Sequence, residues 1–118
     1  MKNTFPEIKK VRVIGMKAIN DEFELAGIEA VGGTPAEVGM TLSEEEYSKD
    51  KIDQDVGAVV QGLDYGFNYY KLAMATLYIE HGKARFICCS ADKYDLLKDR
   101  KLPGPAVITE AIKSTLNF

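Results

Sequence analysis

Two acid-bearing loops carry the chemistry this chain could contribute to. Between Gly62 and Gly104 the sequence reads GLDYGFNYYKLAMATLYIEHGKARFICCSADKYDLLKDRKLPG, with Asp64 and then Asp92 each following an apolar run. If those runs are parallel strands, both carboxylates stand at the strand ends, where α/β proteins hold their ligands. Paired carboxylates are the material of general acid–base catalysis. No nucleophile and no metal-ligating set accompanies them, so a hydrolase built on Asp64 and Asp92 alone is the weakest reading of the pair.

Other reactive residue types read as structural. His81, the sole histidine, falls at the end of a helical pattern, where the helix dipole favours an imidazolium. It has no cysteine or acidic spacing of a metal site around it. Cys88 and Cys89 are adjacent in a strand-like run, so their side chains point to opposite faces and no disulfide joins them. Neither has a His or basic neighbour in sequence to activate it, and both read as packed or inert thiols, not nucleophiles. Tyr65, Phe67, Tyr69 and Tyr70 have two readings, a ligand-stacking cluster or core and hinge packing, and aromatics that flank a helix start favour the second. Gly32-Gly33 is turn chemistry, too sparse to cradle a phosphate.

Composition bounds the class. The chain has 118 residues, 46% of them hydrophobic, and a formal charge of −3. That is one domain with a modest core. An acidic balance without a Lys/Arg stripe gives no footprint for nucleic acid, and Lys98, Arg100 and Lys101 are interleaved with Asp95 and Asp99. No apolar tract follows the charged N-terminus MKNTFPEIKK, so neither a secretory signal nor a membrane anchor is expected. Reduced thiols and the missing leader together predict a cytoplasmic protein.

The elements that must position these loops alternate. Val11 to Ile14 is a β-branched run ending at Gly15, and Ile19, Phe23 and Ala26 follow at helical spacing before Gly27, a C-terminal cap. Ile28 to Val31 reads as a second strand. Thr34 to Gln54 is polar and acid-rich, an excursion at the sheet edge with one helical turn expected around Ser43 to Tyr47, where Ser43 and Glu46 have capping-box spacing. Ala58 to Gln61 is a third strand. Asn68 stands where an N-cap is wanted, and Leu72, Ala75, Thr76 and Ile79 form an apolar stripe ending near Gly82. Arg85 to Cys89 reads as a fourth strand covered on both faces. Pro103, Gly104 and Pro105 open a last helix with Ile108, Ala111, Ile112 and Thr115 on one face. The order βαβ…βαβα predicts an α/β fold, a mostly parallel sheet flanked by helices and joined by right-handed crossovers.

At this point a resemblance becomes specific. Val13-Ile14-Gly15 with the helix ending Leu25-Ala26-Gly27-Ile28 resembles the start of the cap domain in haloacid dehalogenase (HAD) superfamily phosphatases. The branch is that of 4-nitrophenylphosphatase, phosphoglycolate phosphatase and pyridoxal phosphatase. Val59-Val60-Gln61-Gly62-Leu63-Asp64 with Phe67-Asn68-Tyr69 and Lys71-Leu72 is similar to that family's third strand, loop and helix start. Arg85-Phe86-Ile87-Cys88-Cys89-Ser90-Ala91-Asp92 resembles its "RFIATN-x-D" segment, and Leu102-Pro103-Gly104 its last-helix opening.

The resemblance implies a division of labour. In the family a core domain holds phosphate and Mg²⁺, an Asp of the core attacks phosphorus to form a phosphoaspartate, and a second Asp protonates the leaving group. The cap closes over the site and reads the leaving group. Residues 1–118 are therefore expected to be a single cap domain, with 34–54 as an edge insertion and the catalytic core absent. No catalytic residue and no metal ligand is expected in this chain, the Mg²⁺ belonging to the core. The implied substrate-binding residues are Leu63, Asp64, Ser90, Asp92, Tyr94, Asp95 and Leu96. Lys93 to Leu97 occupies the place of the specificity loop, which makes Tyr94, Asp95 and Leu96 the readers of the leaving group. Asp64 and Asp92 have two readings, touching substrate or tying their own loops, since Asp is a common turn residue. Ser90 and Cys89 depart from the family's usual Asn or Asp and Thr.

Asp53-Gln54-Asp55 with Gly57 imitates the family's nucleophile loop, but its strand follows the acids instead of preceding them. Carboxylates at a strand entrance cannot reach the ligand edge of a parallel sheet. The implied partners are the chain's own core domain, a phosphorylated small-molecule substrate and a second copy in a homodimer, with no nucleic acid and no membrane. The alternative is a stand-alone small-molecule-binding or oligomerisation module with the cap fold.

Overall fold

The sequence alternation builds one sheet between helices and adds a hairpin. The computed structural model describes residues 7–32, 47–48, 52–88 and 94–116. Its elements are β1 (Lys10–Ile14), α1 (Lys17–Leu25), β2 (Glu29–Gly32), β3 (Ala58–Gln61), α2 (Tyr69–His81), β4 (Arg85–Cys88), β5 (Tyr94–Leu97), β6 (Arg100–Pro103) and α3 (Pro105–Leu116). The first four strands form a sheet in the order β2-β1-β3-β4, and every neighbouring pair is parallel. Strands β5 and β6 pair antiparallel as a separate two-stranded sheet.

Strand periodicity divides the core in two. Val11, Val13, Ala58 and Val60 point to one face and pack with Ile28 against Ile19, Phe23 and Ala26. Ile14 and Val59 point to the other, beneath Ala75, Leu77 and Tyr78 of α2 and Ile108 and Ile112 of α3. That is the period-two alternation of a strand covered on both sides. The chain leaves β1 toward β2 and leaves β3 toward β4, so right-handed crossovers put α1 and α2 on opposite faces.

Local chemistry fixes the helix ends. After α1, Gly27 takes φ 81°, its N–H donates to Glu24 O at 3.0 Å and the Ile28 N–H donates to Phe23 O at 2.9 Å. This is a Schellman closure, and Phe23 and Ile28 supply its apolar contact. Asn68 caps α2 by accepting the Lys71 N–H at 2.8 Å, satisfying one of the orphan donors of the first turn. Pro105 occupies the first position of α3, where its missing N–H has no helical partner to lose.

The structure amends several expectations. Among the described residues strand β4 ends the sheet and is not fully covered: Arg85 and Cys88 are exposed, and Phe86 and Ile87 are half-buried. An apolar run alone does not distinguish an edge from a centre. Helix α2 buries more than one stripe, with Tyr70, Lys71, Ala73, Ala75, Thr76, Leu77 and Tyr78 all buried, while Leu72 and Ile79 are half-buried. Both α3 and the sheet pack on it, which widens the covered arc. The segment read as a specificity loop is strand β5, and the basic cluster Lys98, Arg100 and Lys101 lies on the turn and return strand of the hairpin. On α3, Ile108 and Ile112 are buried, Ala111 is half-buried and Thr115 is exposed. Most of 34–54, including the turn expected at Ser43 to Tyr47 apart from Tyr47 itself, lies outside the described residues.

Candidate functional site

The ligand edge of the sheet is the carboxyl end of its strands, and β1 and β3 diverge there. In open parallel sheets such a switch point is the crevice that takes ligands. At this crevice the backbones approach closely. Gly62 N–H donates to Ile14 O at 2.8 Å, and a Cβ on Gly15 would lie 2.4 Å from Ile19 Cδ1 and 3.7 Å from Leu63 O.

Asp64, in the loop after β3, turns inward. Its Oδ2 pairs with Lys71 Nζ at 2.7 Å, and both side chains are fully buried. Its Oδ1 accepts the Gly66 N–H at 2.9 Å and its carbonyl accepts the Phe67 N–H at 3.2 Å. An Asp bonding its own backbone two residues on is an Asx turn, and Lys71 supplies the countercharge that a buried carboxylate requires. The loop so tied leaves Leu63 half-buried and Tyr65 exposed. Tyr69, opening α2 beside it, is also exposed.

A second brace joins this loop to the start of α3. Gln61 is fully buried, and its Nε2 donates to Gly62 O and to Pro105 O, each at 2.9 Å. Thr109 Oγ1 donates to Gln61 Oε1 and lies 3.7 Å from Cys88 Sγ at the end of β4. One buried amide thus ties the ends of β3 and α3 together, with the end of β4 alongside.

The remaining candidates divide. Leu96 is exposed on β5. Tyr94 and Asp95 stand opposite Pro103 and Leu102 in the hairpin register. Ser90 and Asp92 lie outside the described residues, as does Cys89. The structure therefore brings Leu63 and Asp64 to one loop and carries Tyr94 to Leu96 on a separate element. Lys71, Gln61 and Thr109 were not among the sequence candidates. A signal for Lys71 was present: a lysine in the first turn of a helix opposes the dipole unless a carboxylate is close.

The acids that imitate a nucleophile loop sit at the opposite edge. Asp53 Oδ2 pairs with Lys10 Nζ at 2.5 Å, Lys10 also reaches Glu29 at 3.2 Å, and Asp53 Oδ1 accepts the Asp55 N–H at 2.9 Å. Two neighbouring depressions of about 320 and 380 Å³ open at this edge and share Glu7, Asp55 and Lys83. Their alternating charges select no single-sign ligand.

The hydrogen bond from Lys10, then that from the Asp55 N–H, holds the Asp53 carboxyl below its ordinary value. Asp53 and then Glu29 hold the Lys10 ammonium above its ordinary value. A depressed carboxyl contributes stability that is present above its unfolded value and lost as pH falls through the folded one. A raised ammonium contributes below its unfolded value and loses that as pH rises through the folded one. Asp53→Asn should therefore lower the unfolding midpoint slightly at neutral pH, and the difference from the parent should vanish on acidification well below 3.8, the unperturbed value. Paired urea titrations at neutral and acid pH check this.

Among the described residues, no three His, Cys, Asp or Glu side chains gather as a metal site would require. His81 is exposed and bonded to Glu80 at 3.1 Å. No described helix is long and apolar enough to cross a membrane.

Known proteins resemble this chain over most of its length. No family model matches it. It is 33% identical over 104 residues to a 4-nitrophenylphosphatase of Schizosaccharomyces pombe, covering 88% of this chain and 35% of that protein. It is 36% identical over 112 residues to phosphoglycolate phosphatase 2 of Arabidopsis thaliana, covering 93% and 37%. The crystal structure of a putative p-nitrophenyl phosphatase from Bacillus subtilis superposes with a TM-score of 0.69 at 24% identity, over 93% of this chain and 34% of that one. That likeness shows the fold. The chain spans about a third of the length of the curated relatives it matches.

Proposed function

We propose that this chain, a haloacid dehalogenase phosphatase-family domain, is the substrate-reading cap of a Mg²⁺-dependent phosphatase whose catalytic core is a separate domain. The observation that carries the reading is the fate of the acids. Asp64, the described carboxylate at the ligand edge, is consumed internally by Lys71 and the Gly66 N–H, and Asp53 and Asp55 stand at the other edge. A carboxylate already neutralised and buried is not placed to attack phosphorus.

The described residues do not fit a Mg²⁺ site, because hard-cation sites need several free oxygens converging on one point. Hence the metal belongs to the core in this reading, and no step through it is assigned to this chain.

What the chain contributes is orientation and exclusion of water. Leu63 and Tyr65, on a loop fixed by two braces, and Leu96 on the hairpin offer apolar surface to a leaving group. Tyr94 and Asp95 offer polar contacts, as do Ser90 and Asp92 beyond the described residues. Closing such surface over a phosphate ester removes competing water and strengthens the electrostatics of the core beneath. In the same reading the protein is cytoplasmic, works on a phosphorylated small molecule and pairs as a homodimer.

The test is direct. The chain alone, given nitrophenyl phosphate and Mg²⁺, is expected to show no turnover above buffer. Turnover abolished by Asp53→Asn or Asp55→Asn would overturn the assignment, because it would place the nucleophile here.

A further inference from the structure

We propose that Asn20 and Glu24 form a paired guard on the outer edge of β2, keeping that edge from adding a strand of a second copy of this chain. Among the described residues, strand β2 ends the sheet. The Glu29 N–H donates inward to Lys9 O at 3.0 Å. In a parallel ladder, alternate residues face opposite sides, so the backbone groups of Ala30 and Gly32 point away from β1. Unpaired, such groups are a template for another strand.

Helix α1 occupies one backbone group of each residue. The Ala30 N–H donates to Glu24 Oε1 at 3.0 Å, and the Gly32 carbonyl accepts from Asn20 Nδ2 at 3.0 Å. Asn20 and Glu24 are four residues apart, one above the other on the same helix face. One acceptor thus meets an outward donor, the Ala30 N–H, and one donor meets an outward acceptor, the Gly32 carbonyl.

Among the described residues the strand carries little other protection. Ala30, Val31 and Gly32 are uncharged and half-buried, and no proline interrupts Glu29–Gly32. The charge of Glu29 is drawn inward to Lys10. Among the described residues, Asn20 also leaves its own Oδ1 buried without a hydrogen-bond partner, a cost that is tolerated when the amide's other end has a task. The guard explains that orphan atom and does not depend on the phosphatase reading.

The test opens the edge and then closes it by another route. The Asn20→Ala/Glu24→Ala variant should show a concentration-dependent step in mass by light scattering above whatever the parent shows, with self-association strengthened about tenfold or more. Adding Ala30→Pro removes the outward N–H from an edge position that tolerates proline, and should return the mass to that of the parent. A folded double variant with the parent's mass throughout overturns the proposal, as does association that Ala30→Pro leaves unchanged. Should the double variant fail to fold, single variants decide by amide exchange. Glu24→Gln keeps the acceptor and should protect the Ala30 amide as the parent does, whereas Glu24→Ala should lose that protection. Equal protection in all three overturns the guard.

Discussion

Lys71→Met is expected to cost the fold about 3–5 kcal/mol, read as a large drop in the urea midpoint, because it strands a buried carboxylate. Both side chains of the Asp64–Lys71 pair are fully buried. Methionine matches the length of the lysine stem, so the loss reports charge more than shape. The double variant Asp64→Asn/Lys71→Met should recover most of the loss, since replacing both members of a buried pair is often close to neutral. An Asn at 64 keeps an acceptor for the Gly66 N–H, which holds the loop. A double variant no more stable than the single one would mean that the pair is not the cause.

Ile112→Ala is expected to cost about 2–5 kcal/mol through lost burial and the cavity left behind. Ile112 is fully buried and packs in the core shared by α2, α3, Ile14 and Val59. Val107→Ala, on the same helix but 52% exposed, should fall within about 0.5 kcal/mol of the parent. Thermal or urea unfolding of the two side by side separates packing from helix propensity, which the Ala substitutions favour in both.

The sequence makes the elements legible where local chemistry decides them. Gly27, Asn68 and Pro105 mark helix ends through backbone requirements that neighbours cannot override, and each marks an end in the structure. The positions of β1 to β4 are equally readable from apolar, β-branched runs, and so is their parallel pairing from the alternation with helices. What stayed hidden is tertiary. The sequence does not say which strand is outermost, so the apolar Phe86 to Cys89 run reads as covered on both faces, whereas β4 ends the sheet among the described residues and leaves Cys88 exposed. A two-residue turn at Lys98-Asp99 lacks the usual Asn-Gly or Asp-Gly signal, although Lys98 takes φ 56°, and the hairpin around it therefore read as loop. The candidate site followed the same division: the loop holding Asp64 was locatable, but its commitment to Lys71 depends on where α2 lands. Gln61 looked like the polar end of a strand, and its brace to Pro105 spans 44 residues of sequence.

The β5–β6 hairpin pairs with itself and takes no part in the four-stranded sheet. Stability in such an arrangement is distributed in separate cooperative units, and a small one opens without melting the large one. Substitution at Leu96, exposed on that hairpin, then leaves the two cores and the Asp64–Lys71 lock untouched. In the cap function proposed above, a fold divided this way changes what it recognises without changing what holds it together.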